Sequence, residues 1–92
     1  MLHVTREAAA HLRREREERG FDPGTGARFI RSSTGVGLTF AAEPGPMDRA
    51  MGDDDLPIYL DEDVAAALDR AIIDVQRERG EARLVIRPQL AS

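Results

Sequence analysis

The spacing of hydrophobic residues changes several times along the chain, and each change predicts a different element. Leu2 and Val4 flank a polar residue and predict a very short first strand. Thr5 then fits a helix N-cap, since its hydroxyl can accept from an unpaired backbone amide. Residues 6–19 are predicted to form a helix that stops at Gly20, the residue type that most often follows a helix.

The apolar stripe of this first helix consists of Ala8, Ala9 and Leu12 and ends there. From Arg13 to Arg19 the helix carries only charged residues. Acid–base pairs four residues apart each stabilise it by only about 0.2–0.5 kcal/mol. We therefore expect the second half of the helix to project into solvent, as a solvated face and not a binding arm.

The middle of the chain reads as strands separated by turns. Residues 27–31 predict a strand, and the glycines and hydroxyl residues of 33–37 are expected to break it. Residues 38–42 then alternate around Leu38 and Phe40, which is typical of a half-buried antiparallel strand.

A polar segment, residues 47–55, predicts a loop that ends in three aspartates. Residues 56–60 alternate again and predict a strand, in which Pro57 lies near the start, where a proline is tolerated. Asp61 is expected to cap a short second helix.

The next stretch has two interpretations. Hydrophobic residues at helical spacing from Val64 onward would continue one helix as far as Gly80, whereas the β-branched residues of 71–77 also suit a strand. Residues 82–87 predict a strand. If 71–77 is a strand too, residues 78–81 form its hairpin turn.

This order of elements resembles the HesB-like domain of A-type iron–sulfur cluster carriers. The segments that carry the resemblance are LHVTREAA at 2–9, RSSTGVGLTF at 31–40, IYLD at 58–61, LDRAIID at 68–74 and RLVIRPQ at 83–89. It implies a single domain over 1–92 with an α+β fold of mostly antiparallel, twisted β-sheets, one longer N-terminal helix and one short helix. It also implies that the second helix stops near Asp69 or Arg70 and that 71–77 is a strand.

The carriers of this family hold iron or a cluster through one cysteine in the glycine hairpin and a Cys-x-Cys after the last strand. Here the hairpin position falls on Gly35, and the later pair has no counterpart after Pro88. The chain contains no cysteine at all, and thiolates are the ligands that hold such clusters. We therefore predict no cofactor and interpret the chain as a degenerate member that lacks the cluster ligands.

Composition narrows the function classes further. The 92 residues carry a net charge of −4, and all thirteen basic residues are arginine. This excludes a Schiff-base or P-loop lysine, and the acidic balance disfavours nucleic-acid binding. No apolar run reaches the roughly 18–20 residues of a membrane span, and the N-terminus lacks signal-peptide features. We expect a cytoplasmic protein without a membrane partner.

The glycine-bearing turn is the candidate interaction site. Its residues are Arg31, Ser32, Ser33, Thr34, Gly35 and Gly37. It offers hydroxyls and glycines as phosphate loops do, but it lacks their lysine and lies between two strands, where no helix dipole attracts an anion. We interpret it as a tight turn that could, together with Arg28, form a small anion-binding or partner-binding surface.

Other polar residues give weaker signals. His3 and His11 are the only imidazoles, and neither has a histidine or cysteine at metal-ligand spacing. The consecutive aspartates 53–55 point in different directions, unlike the alternating ligands of a calcium loop, so we predict a solvated loop. Because no nucleophile or acid–base set is visible, the sequence predicts no enzyme.

Two functional hypotheses remain. The first is a non-catalytic HesB-like domain that acts through contacts with an unidentified protein partner; the resemblance also implies a homodimer, for which exposed strand edges are one physical motive. The alternative is a small-ligand or metal-binding domain that uses the 31–37 turn with arginine and carboxylate side chains. The predicted core is Leu2, Val4, Leu12, Phe29, Leu38, Phe40, Ile58, Leu60, Val64, Leu68, Ile73, Leu84 and Ile86.

Overall fold

The computed structural model describes residues 2–33 and 35–88, which form strands and helices in the predicted order. The elements are β1 (His3–Val4), α1 (Arg6–Glu18), β2 (Gly26–Ser32), β3 (Gly35–Ala41), β4 (Asp48–Asp53), β5 (Leu56–Asp61), α2 (Glu62–Ala67), β6 (Ala71–Glu78) and β7 (Glu81–Pro88). Neither of these helices has the length and apolar character to cross a membrane within the described ranges.

The strands form two sheets. One has the order β1-β6-β7 and the other the order β3-β2-β5-β4. The three hairpins β2–β3, β4–β5 and β6–β7 are antiparallel, whereas β1–β6 and β2–β5 pair in parallel. The predicted α+β class, with mostly antiparallel sheets and one longer and one short helix, is confirmed.

The ends of both helices follow from local chemistry, as predicted. The Thr5 hydroxyl accepts from the Ala8 amide at 3.1 Å, and Asp61 accepts from the Val64 amide at 2.8 Å. Gly20, just after α1, has a φ of +78°, a conformation that costs a glycine little. Helix α1 therefore begins at the predicted residue and ends one residue before the predicted end.

The prediction that the charged half of α1 projects into solvent is wrong at Arg16. This residue follows Ala8 and Leu12 at intervals of four, and its exposed fraction is only 5%. The buried stripe therefore continues for one more turn with an arginine, whose guanidinium finds backbone carbonyl partners instead of water.

The predicted break at residues 33–37 between the strands β2 and β3 is shorter than expected. Strand β3 begins at Gly35 and runs in register with β2, so that Gly37 lies opposite Ile30. Glycine is accommodated because Gly35 sits at the strand end with a φ of +135°. A Cβ on Gly37 would make only ordinary contact with Ile30.

The predicted loop 47–55 is also wrong over most of its length, because Asp48–Asp53 forms β4. The side-chain pattern of β4 is uninformative, since Met51 is the only large apolar residue between Asp48 and Asp53. Backbone pairing with β5 makes it a strand, and Met51 lies opposite the buried Ile58 in that register.

The stretch with two interpretations is strand β6, as the family resemblance implies. It joins β7 through a two-residue turn with Glu78 opposite Glu81. Arg79 and Gly80 have φ values of 51° and +81°, which is the conformation of a type I′ turn. Helix α2 ends at Ala67, slightly before the predicted end.

Both sheets and both helices contribute to the core. The buried apolar residues are Leu2, Ala8, Leu12, Ala27, Phe29, Phe40, Leu56, Ile58, Tyr59, Leu60, Val64, Leu68, Ala71 and Ile73. Of the other predicted core residues, Val4, Leu38 and Leu84 are partly buried against this cluster. The prediction that Ile86 belongs to the core is wrong, because 44% of this residue is exposed. It pairs with the buried Ile73 but lies on β7, the last strand of its sheet.

Candidate functional site

The glycine-bearing turn is the tip of the β2–β3 hairpin. Arg31, Ser32 and Ser33 are exposed there, and the Ser32 hydroxyl donates to the Gly35 carbonyl at 3.2 Å. A Cβ on Gly35 would meet no atom within 4 Å, although its φ of +135° disfavours a side chain. Thr34 lies outside the described residues. The tip is therefore an open turn with hydroxyl and backbone groups at the surface.

Strand β3 continues from this tip as the outermost strand of its sheet in the described structure. It carries no charged residue from Gly35 to Ala41, and Val36 and Leu38 remain partly exposed on it. Beside it, Ile30 of β2 is 36% exposed. Natural proteins usually protect an edge strand with charge, proline or a bulge. Ile30 projects from the face opposite to that of Val36 and Leu38. We call Val36, Leu38 and the tip residues Arg31–Ser33 the β3 edge.

Arg28 does not join Arg31 in one surface. The two arginines are three residues apart on β2 and therefore point to opposite faces. The Arg28 guanidinium instead forms two bonds to the Asp48 carboxylate, with Nε–Oδ2 at 2.9 Å and Nη2–Oδ1 at 3.3 Å. The fork geometry fixes the orientation of both groups, so Arg28 joins β2 to the start of β4 within one sheet.

The Asp48 carboxylate also anchors the loop before β4. Its side chain is 0% exposed, and it accepts from the Gly45 amide at 2.7 Å. The Asp48 amide donates back to the Gly45 carbonyl at 3.0 Å. The Gly45 amide first, and the Arg28 guanidinium second, hold the pKa of Asp48 below its ordinary value, against the opposing effect of burial.

The three consecutive aspartates lie where β4 turns into β5: Asp53 ends β4, and Asp54 and Asp55 form the turn. Arg13 of α1 binds Asp55 through Nε at 2.9 Å and lies 3.5 Å from Asp53. The hydrogen bond from Arg13 is the main reason why the pKa of Asp55 lies below its ordinary value. Two of the three carboxylates thus hold the helix and are not arranged around a cation.

Arg16 completes this connection from the buried side. Its Nη1 donates to the Thr25 carbonyl at 3.1 Å and to the Asp55 carbonyl. The Nε of the same guanidinium is buried without a hydrogen-bond partner. Arg16 therefore ties α1 to the start of β2 and to the β4–β5 turn. The sequence signal was available, because positions 8, 12 and 16 share one face of a helix.

Neither histidine belongs to a metal-binding cluster in the described part of the chain. His3 is exposed on β1, and His11 Nε2 lies 3.3 Å from Glu15 Oε1 on the same helix. Across residues 2–33 and 35–88, no group of three or more histidine, aspartate or glutamate side chains could hold a metal ion.

Comparison with known proteins finds a match among solved structures. No protein-family model and no curated protein matches the chain. SufA of Escherichia coli, which is involved in the biosynthesis of iron–sulfur clusters, superposes with a TM-score of 0.76 at 22% identity, over 95% of this chain and 84% of SufA. IscA with a 2Fe–2S cluster gives a TM-score of 0.71 at 20% identity, over 96% of this chain and 85% of IscA. The chain therefore has the fold of the A-type iron–sulfur carriers SufA and IscA, the HesB-like fold, built without a single cysteine.

Proposed function

We propose that this protein is a non-catalytic domain with the fold of the iron–sulfur carriers, and that it acts through protein contacts and not by carrying a cluster. One observation carries the proposal: 95% of this chain superposes on SufA, and the chain contains no cysteine. Cluster irons are held by thiolates. A protein that has this fold but lacks the ligands still has surfaces that can bind other proteins. We therefore assign its function to one of these surfaces.

The β3 edge is the surface that best fits this role. An edge strand presents a row of backbone amides and carbonyls that an extended segment of another protein can pair with. Here the strand carries no charge, and Val36 and Leu38 offer partly exposed apolar side chains. Ile30 of the neighbouring strand lies opposite Gly37 and projects from the other face of the sheet, so it is not part of this apolar row. The partner we propose is a protein segment that adds as a strand beside β3.

Iron and sulfide analysis tests the absence of a carrier role. The protein is purified without oxygen, then treated with iron and sulfide under reducing conditions. We expect less than stoichiometric iron and no visible absorption of a cluster, with a cysteine-containing carrier of the same fold as positive control. Stoichiometric iron and sulfide that co-elute with the protein would overturn the proposal.

A pair of charge variants tests the surface. Val36→Lys places a cation on the β3 edge, while Ala66→Lys adds the same charge at an exposed position of α2. Proteins recovered with the tagged wild type from its native host are compared quantitatively with those recovered with each variant. We expect one partner to be retained by A66K and lost at least tenfold with V36K. Equal recovery by both variants contradicts the assignment of this surface.

A further inference from the structure

The β2–β3 hairpin is a basic element in an acidic chain. The whole chain has a net charge of −4, but no aspartate or glutamate occurs between Asp22 and Glu43, and the hairpin carries Arg28 and Arg31. The carboxylate of Asp48 neutralises Arg28, whereas Arg31 is exposed at the tip. The β3 edge therefore has positive charge at its tip end.

A second arginine lies at the opposite end of β3, beside an aromatic pair. The guanidinium carbon of Arg19 is 5.8 Å from the centre of the Phe40 ring. The rings of Phe21 and Phe40 are 5.3 Å apart, and 41% of Phe21 is exposed. Arg19 approaches Glu15 only to 3.9 Å, and its side chain stays 58% exposed. This end of β3 therefore offers a cation next to an aromatic surface.

The apolar row of β3 runs between these two cations. Residues opposite each other on antiparallel strands share a face of the sheet, and Arg31 lies opposite Val36. Leu38 and Phe40 follow Val36 at intervals of two and project from the same face. Phe40 is buried, whereas Val36 and Leu38 stay partly exposed. The row is thus bounded by Arg31 at the tip and by Arg19 at the other end.

The residues of this row also present the outward-facing backbone groups of the strand. Ser32 lies opposite Gly35 with two residues between them, and the residues that flank a two-residue hairpin loop form a hydrogen-bonded pair. Hydrogen-bonded and non-hydrogen-bonded positions alternate along an antiparallel pair. The odd-numbered residues of β3 therefore bond to β2, and the amides and carbonyls of residues 36, 38 and 40 point away from it. A strand added antiparallel, the slightly more stable arrangement, can bond to all three.

Gly37 determines what fits on the other face of such a strand. The added residue opposite Gly37 would be in a non-hydrogen-bonded pair, where side chains approach each other most closely. Beyond the glycine lies Ile30, which is 36% exposed and whose Cγ1 would be 3.5 Å from a Cβ at position 37. An aromatic side chain can cover a glycine of an edge strand. Here it would also reach the exposed part of Ile30.

We propose that the β3 edge binds an acidic, amphipathic segment of another protein as an antiparallel strand. The segment has apolar residues at alternate positions along Val36, Leu38 and Phe40, an aromatic residue opposite Gly37 and a carboxylate at each end. This inference rests on the proposed function and adds the chemistry of the partner. A second copy of the chain does not fit, because two antiparallel β3 strands would bring the arginines of one copy toward those of the other.

Binding of the synthetic peptide EVTVYVE, blocked at both ends, tests this chemistry. At low ionic strength we expect a dissociation constant between about 10 μM and 1 mM. Two control peptides, KVTVYVK with reversed charge and EVTVGVE without the aromatic residue, should each bind at least roughly threefold more weakly. No binding of EVTVYVE at about 2 mM, or equal binding of the three peptides, overturns the proposal.

Amide hydrogen exchange followed by NMR locates the bound peptide. The amides of residues 36, 38 and 40 should gain protection when EVTVYVE is added. The amides of residues 37 and 39 already bond to β2 and should change little. Protection that appears outside β3, or equally at odd and even positions, contradicts strand addition at this edge.

Charge exchange tests the direction of the peptide. An antiparallel peptide has its last residue near Arg31 and its first near Arg19. Arg31→Glu should therefore bind EVTVYVK roughly threefold or more better than KVTVYVE, and Arg19→Glu should show the reverse preference. Arg83→Glu makes the same change at an exposed position of β7, in the other sheet, and should still prefer EVTVYVE. Thermal unfolding establishes that each variant is folded. Equal binding of the two mixed peptides, or the opposite preferences, overturns the arrangement.

The failure of this inference and the failure of the proposed function are distinguishable. A host protein that depends on Val36 but is not displaced by EVTVYVE leaves the proposed function standing and refutes the acidic segment. Peptide binding as described, with no host protein that distinguishes V36K from A66K, supports the chemistry of the edge and contradicts the proposed function.

Discussion

The hydroxyl of Thr5 performs two functions at once: it accepts from the Ala8 amide at 3.1 Å and donates to Asp74 Oδ1 at 2.9 Å. The first bond caps α1, and the second joins that cap to β6. Asp74 Oδ1 also accepts from the Val75 amide at 2.8 Å, and this bond is the main reason why the pKa of Asp74 lies below its ordinary value. A local helix signal and a contact 69 residues away thus share one oxygen atom.

Thr5→Ala removes both bonds, and we expect it to lower the free energy of unfolding by about 1–2 kcal/mol, the upper part of the range for the loss of an N-cap. Thr5→Ser keeps the hydroxyl and should retain most of the stability. Urea unfolding followed by circular dichroism measures both variants. Equal stability of T5A and T5S would show that the hydroxyl does not act as described.

Arg16→Ala should be the most destabilising arginine substitution in α1. It leaves the Thr25 and Asp55 carbonyls without their donor and opens space at a buried position, which together cost about 2–4 kcal/mol. Arg14→Ala removes an exposed arginine from the same helix and should change stability by less than about 0.5 kcal/mol. Chemical unfolding of the two variants gives the comparison. Similar losses for both would mean that burial at position 16 contributes nothing.

Acid should destabilise the protein in a way that depends on Asp48. Its pKa is lowered in the folded state from the ordinary value of 3.8. The ionised carboxylate therefore stabilises the fold at any pH above 3.8. That contribution is lost as the pH falls through the lowered pKa. Asp48→Asn should therefore be less stable than the wild type at pH 7, and its stability should fall less between pH 5 and pH 2. Unfolding curves at several pH values test this, and parallel pH profiles for the two proteins would refute it.

Two glycines of the same hairpin should respond differently to alanine. A Cβ on Gly26 would lie 2.4 Å from Tyr59 Cε2 and 2.9 Å from the Pro57 carbonyl, so the buried tyrosine and the backbone must shift. We expect Gly26→Ala to cost roughly 1–3 kcal/mol, as overpacking does. At Gly37 the nearest atom would be Ile30 Cγ1 at 3.5 Å, an ordinary contact. Thermal unfolding should show a clear loss for G26A and little change for G37A; the reverse order would contradict this packing.

Local patterns predicted the elements whose causes are local. The caps at Thr5 and Asp61 depend on side chains within a few residues, and the structure has both. The turn at Arg79–Gly80 is also present, but the local pattern left helix and strand open there, and only the family resemblance favoured the turn. Strand β4 was missed because no local hydrophobic alternation marks it. Its existence depends on hydrogen bonds to β5. Of the candidate site, the hairpin turn was predicted. The opposite faces of Arg28 and Arg31 follow from their odd spacing within the predicted strand, whereas the ion pair of Arg28 with Asp48 depends on the tertiary structure.

The sequence by itself determined that thiolate chemistry is absent, since composition needs no fold, and it determined the helix starts and turns, since their hydrogen bonds are short-range. Only the tertiary structure decided which carbonyls accept from Arg16, that Ile86 is exposed and that β3 and β7 are the outermost strands of their sheets among the described residues. These properties depend on which distant segment lies beside each residue. The Arg16 guanidinium can be buried because two backbone carbonyls accept hydrogen bonds from it. The Ile86 side chain stays exposed because its strand is the outermost one described in its sheet.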